Sequence, residues 1–311
     1  MTPSLSVIIC THNPREAILE RTIHALRCQT FEVNQWEFLI IDNRSDSPID
    51  SSWVDWHPYG RVIREDKLGL TQARLRGIEE ALGAILVWCD DDNILQRNYL
   101  ERARVLFRQE PSLGLLGGKA LPEYEVDPPE WFDDQLAPLA CRDLGEDPMR
   151  ASWDEKAERK YPSCSPIGAG LVARRVVCQL WAESISHDNE GAGLGRSGTN
   201  LSSGEDNDLV MTALSNRWAV GYDPGLVLQH LIPASRLTES YLAQLAFASS
   251  RDWIRVLHRH QVCPWSSIPA WTVPFRETRA WFRRRVWAGP AEYIRWSGDC
   301  GHFEGRSMIR S

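Results

Sequence analysis

Apolar residues in this chain follow two rhythms. Short runs rich in Val, Ile and Leu stand at 5–10 (LSVIIC), 36–41 (WEFLII) and 84–89 (AILVWC), each stopped by a polar cluster. Runs this short predict buried strands. Between them the spacing changes to threes and fours. Over 16–28, Ile18, Leu19, Thr22, Ile23 and Leu26 share one side, and 70–82 and 97–109 behave alike. These predict amphipathic helices. Further short strands are expected at 61–64 and 113–117. Strands alternating with helices at this spacing imply βαβ units, hence an α/β fold with a mostly parallel central sheet and helices on both faces.

The second half is less regular. Residues 122–162 are rich in Pro, Trp and acidic groups and predict a long ordered loop. A strand with glycines where another group comes close is expected at 167–173, and a helix at 175–184. The Gly/Ser-rich stretch 191–204 reads as mobile. Glu205 opens a helix to about 216, followed by short strands at 218–222 and 226–228. From Tyr241 onward the pattern is helical, broken at Pro264, Pro269, Pro274 and Pro290. The chain therefore divides into a main domain, 1–240, and a helical C-terminal extension, 241–311.

Charge sharpens this division. The net charge is −7, yet residues 251–311 carry 11 Arg against 5 acidic residues, so the first 250 carry −13. The net charge of −7 argues against a general nucleic-acid binder. Six of the 14 Trp also lie in the extension. Trp interleaved with Arg suits peripheral contact with an anionic membrane surface. It equally suits packing under the main domain with Arg outward, and the prolines favour packing. The longest apolar runs are about six residues, too short to span a bilayer, and no secretory leader follows Met1. Eight scattered Cys without a CxxC pair point to buried thiols in a reducing cytoplasm.

Candidate chemistry clusters where predicted strands end, the place where α/β sheets bind ligands. Asp90, Asp91 and Asp92 follow the 84–89 run. Three adjacent carboxylates repel one another unless a cation is near, and hard oxygen ligands suit Mg²⁺ or Mn²⁺. The plain alternative is a solvated acidic turn. Asp42 ends its own run and can accept bonds from a ribose or base, or close an Asx-turn. Glu205 and Asp206 begin a helix, where the dipole favours carboxylates for structural reasons alone. His230 ends an apolar run and can join carboxylates on a divalent ion. Walker, GxSxG and HExxH motifs are absent, which removes the main support for P-loop, α/β-hydrolase and zincin readings.

Taken in order, SVIICTHN at 6–13, IDNRS at 41–45, WCDDD at 88–92, GAG at 168–170, GEDND at 204–208 and His230 resemble the family 2 glycosyltransferases. The resemblance covers about residues 4–240. Cys10 and Asn43 depart from residues common in the family's first two motifs. It implies the GT-A fold, with a nucleotide-sugar half at 1–120 and an acceptor half at 121–240. It further implies inverting transfer from a nucleotide-sugar donor, UDP-linked by expectation, to a sugar or glycolipid acceptor, with Mn²⁺ or Mg²⁺ as cofactor. On that resemblance Thr11, Asp42, Asp90 and Asp91 hold the nucleotide, and Asp92, Asp90 and His230 the metal. Gly168, Ala169 and Gly170 line the acceptor, Asp206 is the general base with Glu205 beside it, and Arg236 lies near the phosphates. Two other classes share the fold: a sugar nucleotidyltransferase, which needs a basic Gly-rich loop that residues 11–14 do not supply, and an inactive nucleotide-sugar-binding module.

Overall fold

The computed structural model describes residues 3–153, 159–186, 194–196, 201–202 and 204–309. The chain divides into two compact units, each assembled from separate stretches. One comprises residues 1–123, 140–193 and 208–231; the other comprises 124–139, 194–207 and 232–311. The helical extension is gathered with two short segments from far upstream, 124–139 and 194–207.

In the first unit the elements run β1 (Leu5–Thr11), α1 (Glu16–Arg27), β2 (Trp36–Asp42), β3 (Gly60–Arg64), α2 (Leu70–Glu80), β4 (Ile85–Trp88), β5 (Asn93–Leu95), α3 (Tyr99–Gln109), β6 (Leu113–Tyr124), β7 (Met149–Ala151), β8 (Val172–Arg174), α4 (Arg175–Ser186), α5 (Glu205–Ser215) and β9 (Ala219–Ile232). The first residues of α5 and the ends of β6 and β9 fall to the second unit. The strands form one sheet in the order β3-β2-β1-β4-β8-β6-β9-β5, with β7 paired to β9. Every residue of β2 is buried, as both faces of a parallel sheet require. Leu5, Val7 and Ile9 pack with Leu19, Ile23 and Leu26 of α1 and with Leu100, Ala103 and Phe107 of α3. Ile8 and Trp88 instead approach Gly77 of α2. Helices thus cover both faces, as expected.

The sheet is parallel only across β3-β2-β1-β4. Strand β8 runs antiparallel to both β4 and β6, and β9 runs antiparallel to β5 and β7. The expectation of a mostly parallel sheet is therefore corrected. Parallel neighbours need a long crossover, usually helical, and among the described residues the 125–171 connection between β6 and β8 contains no α-helix. The two short strands expected at 218–222 and 226–228 are one strand, β9.

The second unit holds α6 (Glu239–Arg259), α7 (Val273–Arg284) and α8 (Pro290–Met308). Pro274 and Pro290 lie in the first turns of α7 and α8. Proline is accommodated there because its missing N–H would have no helical partner anyway. These two prolines start helices; they do not interrupt one. α8 crosses α6 at Gly301, where a Cβ would stand 2.0 Å from the Phe247 carbonyl oxygen. The Ser297 hydroxyl donates to the Ala243 carbonyl nearby (2.8 Å). Buried Asp252 is held by the Arg251 and Arg255 guanidinium groups at 2.9 and 3.1 Å. No described helix is long and apolar enough to cross a membrane.

Candidate active site

The parallel register places the expected residues side by side. Thr11 pairs with Asp42 across β1 and β2. Ile8 pairs with Trp88, the last residue of β4, and the Cys89 N–H donates to the Ile8 carbonyl (3.0 Å). Thr11, Asp42 and Asp90–Asp92 therefore leave the same edge of the sheet, because each apolar run stops at the same height. The buried Thr11 hydroxyl donates to the Asp91 carboxylate, and the Thr22 hydroxyl donates to the Asp91 carbonyl (2.9 Å). Asp91 is thus anchored from β1 and α1 together. These carboxylates also push up the buried Cys89 thiol, after burial itself, so that it stays protonated.

Asp42 is only 1% exposed. Its Oδ1 accepts from the Ser45 N–H at 2.8 Å; its Oδ2 accepts from the Ile49 N–H at 3.3 Å and from Arg64 Nη1 at 2.7 Å. Burial works to raise its pKa, but these donors outweigh burial and hold it below the ordinary carboxylate value. Its side chain is committed to the loop after β2, which is the Asx-turn alternative. Asn43 completes that loop, accepting from the Gly69 N–H (2.7 Å) and donating to the Lys67 carbonyl (2.7 Å).

The antiparallel half brings His230 into this group. Asn93 of β5 pairs with His230 of β9, and the Leu231 N–H donates to the Asp92 carbonyl (2.9 Å). His230 Nε2 then lies 3.3 Å from Asp92 Oδ1, with both residues at most 5% exposed. Asn93 Nδ2 donates to the same oxygen at 3.1 Å, fixing the carboxylate plane. Asp90 is half-buried, and its N–H donates to Asn93 Oδ1 (3.2 Å). Among the described residues no group of three or more His, Cys, Asp or Glu is arranged to hold a metal by itself. A buried carboxylate beside an imidazole nonetheless fits a divalent ion that takes its other ligands from phosphate oxygens and water, the usual habit of Mg²⁺.

The three carboxylates at the start of α5 differ sharply. Glu205 is buried at 3%. Asp208 is fully buried, and its Oδ2 accepts from the Trp181 indole N–H at 2.9 Å. Asp206 is half-exposed, and its Oδ1 accepts from the Asn207 N–H (2.9 Å). Of these three, Asp206 alone presents a carboxylate to solvent. Most of the stretch 191–204, read as mobile, lies outside the described residues. Of the Gly-Ala-Gly segment, Ala169 and Gly170 are buried and Gly168 is half-buried. Gly170 has φ +68°, and a Cβ there would meet Leu228 at 2.4 Å and the Tyr99 hydroxyl at 2.7 Å. Its glycine is therefore required by backbone conformation and packing. Arg236 sits half-buried in the 3-10 turn Ala234–Leu237 after β9.

Two buried polar residues escaped the sequence reading. Asn93 is the fully buried amide that orients Asp92. Arg74 is buried among the apolar positions of α2, with its guanidinium 5.6 Å from the Trp88 ring centroid. The available signal for Arg74 was a cation on the buried face of a helix otherwise lined by Thr71, Ala73, Gly77 and Ile78.

The chain is similar to several known proteins. A glucosyl-dolichyl phosphate glucuronosyltransferase of Haloferax volcanii is 22% identical over 136 residues, which is 42% of this chain and 43% of that protein. Glycosyltransferase AglE of the same organism is 33% identical over 104 residues, covering 32% of this chain and 34% of that protein. A polypeptide N-acetylgalactosaminyltransferase 5 of Caenorhabditis elegans is 28% identical over 116 residues, covering 35% of this chain and 18% of that protein. The chain thus spans less than half the length of each of these relatives. The crystal structure of S. aureus TarS residues 1–349 aligns over 97% of this chain and 90% of that one, with 12% identity and a TM-score of 0.49. The family model described as glycosyl transferase family 2 matches residues 6–140, the stretch that carries Thr11, Asp42 and Asp90–Asp92. Over those residues, fewer than half of the 311, the chain is similar to glycosyl transferase family 2.

Proposed function

We propose that the protein transfers a sugar from a nucleotide-sugar, UDP-linked as the family resemblance implies, to an acceptor hydroxyl with inversion, in glycoconjugate or polysaccharide biosynthesis. The observation that carries this reading is the buried Asp92–His230 pair, 3.3 Å apart, at the sheet edge of the family 2 segment. A lipid-linked sugar acceptor is in keeping with the Haloferax relative named for glucosyl-dolichyl phosphate. A reducing, cytoplasmic compartment is in keeping with the lack of any disulfide among the described residues.

Roles follow from charge. The leaving group is a nucleoside diphosphate, whose developing negative charge must be neutralised. Asp92 and His230 would hold Mn²⁺ or Mg²⁺, which when bound supplies Lewis-acid stabilisation of that charge. Asn93 keeps the Asp92 carboxylate in one orientation, and Thr11 does the same for Asp91, next to the proposed nucleotide contact Asp90, while Asp42 acts by holding the loop after β2. Asp206 is the proposed general base, taking the proton of the acceptor hydroxyl on a carboxylate oxygen as the new bond forms. One base and no enzyme nucleophile give a single displacement and inversion, without a covalent glycosyl-enzyme.

The test is nucleoside diphosphate release from a panel of nucleotide-sugars with Mn²⁺, with and without sugar or lipid-linked acceptors. Acceptor-dependent release with an inverted anomeric centre in the product supports the reading. Pyrophosphate release from a nucleoside triphosphate and a sugar phosphate would replace it with a nucleotidyltransferase. Donor binding without release would replace it with a binding module.

A further inference from the structure

We propose that the outward face of α7, with the turns on either side of it, docks on an anionic phospholipid bilayer. Trp271, Phe275, Phe282 and Trp287 are 73, 71, 61 and 61% exposed. Phe275 and Phe282, seven residues apart, share one stripe of α7, and Trp271 lies in the 3-10 turn Ala270–Thr272 just before it. The Trp271 and Phe275 rings stand 6.4 Å apart, and the Trp287 ring lies 6.2 Å from Phe282. The opposite face is the packed one: Ala280 is buried, Glu277 accepts from the Trp296 indole through its carbonyl (3.0 Å), and Arg284 binds Asp299 (2.8 Å). The exposed rings are therefore surplus to the packing of this unit, and contiguous exposed aromatics mark interaction surfaces.

Charge selects the partner. Residues 271–288 contain five Arg and one acidic residue, a local charge of +4. Arg276, Arg279 and Arg285 are exposed and belong to no ion pair among the described residues. Arg283 and Arg284 are paired with Asp299, so two copies meeting through this face would set Arg276, Arg279 and Arg285 of one against the same three of the other, whereas anionic headgroups complement them. Trp and Arg are the residues that settle at headgroup level. At 12 residues α7 is about 18 Å long, too short to span a bilayer, so it would lie in the plane of the interface. This inference stands apart from the transferase chemistry and uses none of its residues.

The experiment is co-sedimentation of the full chain with phosphatidylcholine vesicles, alone or with about a third phosphatidylglycerol. The protein should sediment with the anionic vesicles and be released by salt. Trp271→Ser with Phe275→Ser should weaken binding by about tenfold or more per ring. Arg276→Gln, Arg279→Gln and Arg285→Gln should each weaken it about fivefold. All five side chains are exposed, and circular dichroism would check that the fold is intact. Failure of the folded wild type to bind anionic vesicles would overturn the proposal, as would undiminished binding by the double Ser variant. A vesicle-free dimer that this variant dissolves would also overturn it, since the face would then be a self-association surface.

Discussion

The start of α5 offers a sharp separation of chemistry from stability. Asp206→Asn keeps an oxygen that can accept from the Asn207 N–H, and the site is half-exposed. The folded state should lose only a helix-terminal charge, worth about 0.3–1 kcal/mol. Turnover should fall by about 10²–10⁴-fold, or about 2.7–5.4 kcal/mol of barrier, the usual worth of a general base. Asp208→Ala should do the reverse. The Trp181 indole, 1% exposed, would lose the carboxylate 2.9 Å away, and leaving a buried donor without that acceptor costs about 1–3 kcal/mol. Its turnover per folded molecule should stay within about threefold of wild type. The assay pairs initial rates of nucleoside diphosphate release at saturating donor and acceptor with thermal unfolding of each variant. Near-wild-type turnover in Asp206→Asn would refute the assignment of the base. So would a loss of turnover in folded Asp208→Ala as large as that expected for Asp206→Asn.

Three other expectations are independent of this one. Asp92→Asn keeps the shape of the side chain beside His230 but removes its charge, so Mn²⁺-dependent turnover should collapse, and EDTA should silence the wild type reversibly; full activity in EDTA would remove the metal from the scheme. His57 is buried between Trp36 and Trp56, with ring centroids 4.2 and 5.1 Å away, and burial pushes its pKa down to about 4. Because an unfolded histidine titrates near 6.5, the unfolded chain takes up a proton that the folded chain refuses, and stability should fall as pH drops from about 6.5 to about 4. Denaturant titrations across that range should show a shallower slope in His57→Asn, whatever its absolute stability. Gly301→Ala would drive a Cβ to 2.0 Å from the Phe247 carbonyl oxygen and force α6 and α8 apart, costing about 1–3 kcal/mol or more, read as an earlier melting transition.

Much of the first unit was legible because its signals are local. Apolar runs such as 36–41 end where the sheet ends, so Thr11, Asp42 and Asp90–Asp92 could be assigned to one edge from the pattern alone, and the register of β1, β2 and β4 agrees. Helices α1, α2 and α3 were visible for the same reason: a 3.6-residue period records which side faces a core. Tertiary structure decided what no local period encodes. Strand direction is one such property, and β8 and β9 run against expectation because direction depends on how distant connections return. The approach of His230 to Asp92 is another, created by pairing β5 with β9 across more than a hundred residues. The rank of the α5 carboxylates is a third: Glu205, Asp206 and Asp208 read alike in the sequence, and only their surroundings bury two of them and leave Asp206 partly in water. The prolines of the C-terminal helices make the same point, since whether a proline breaks a helix or begins one depends on where the neighbouring chain lets that helix start.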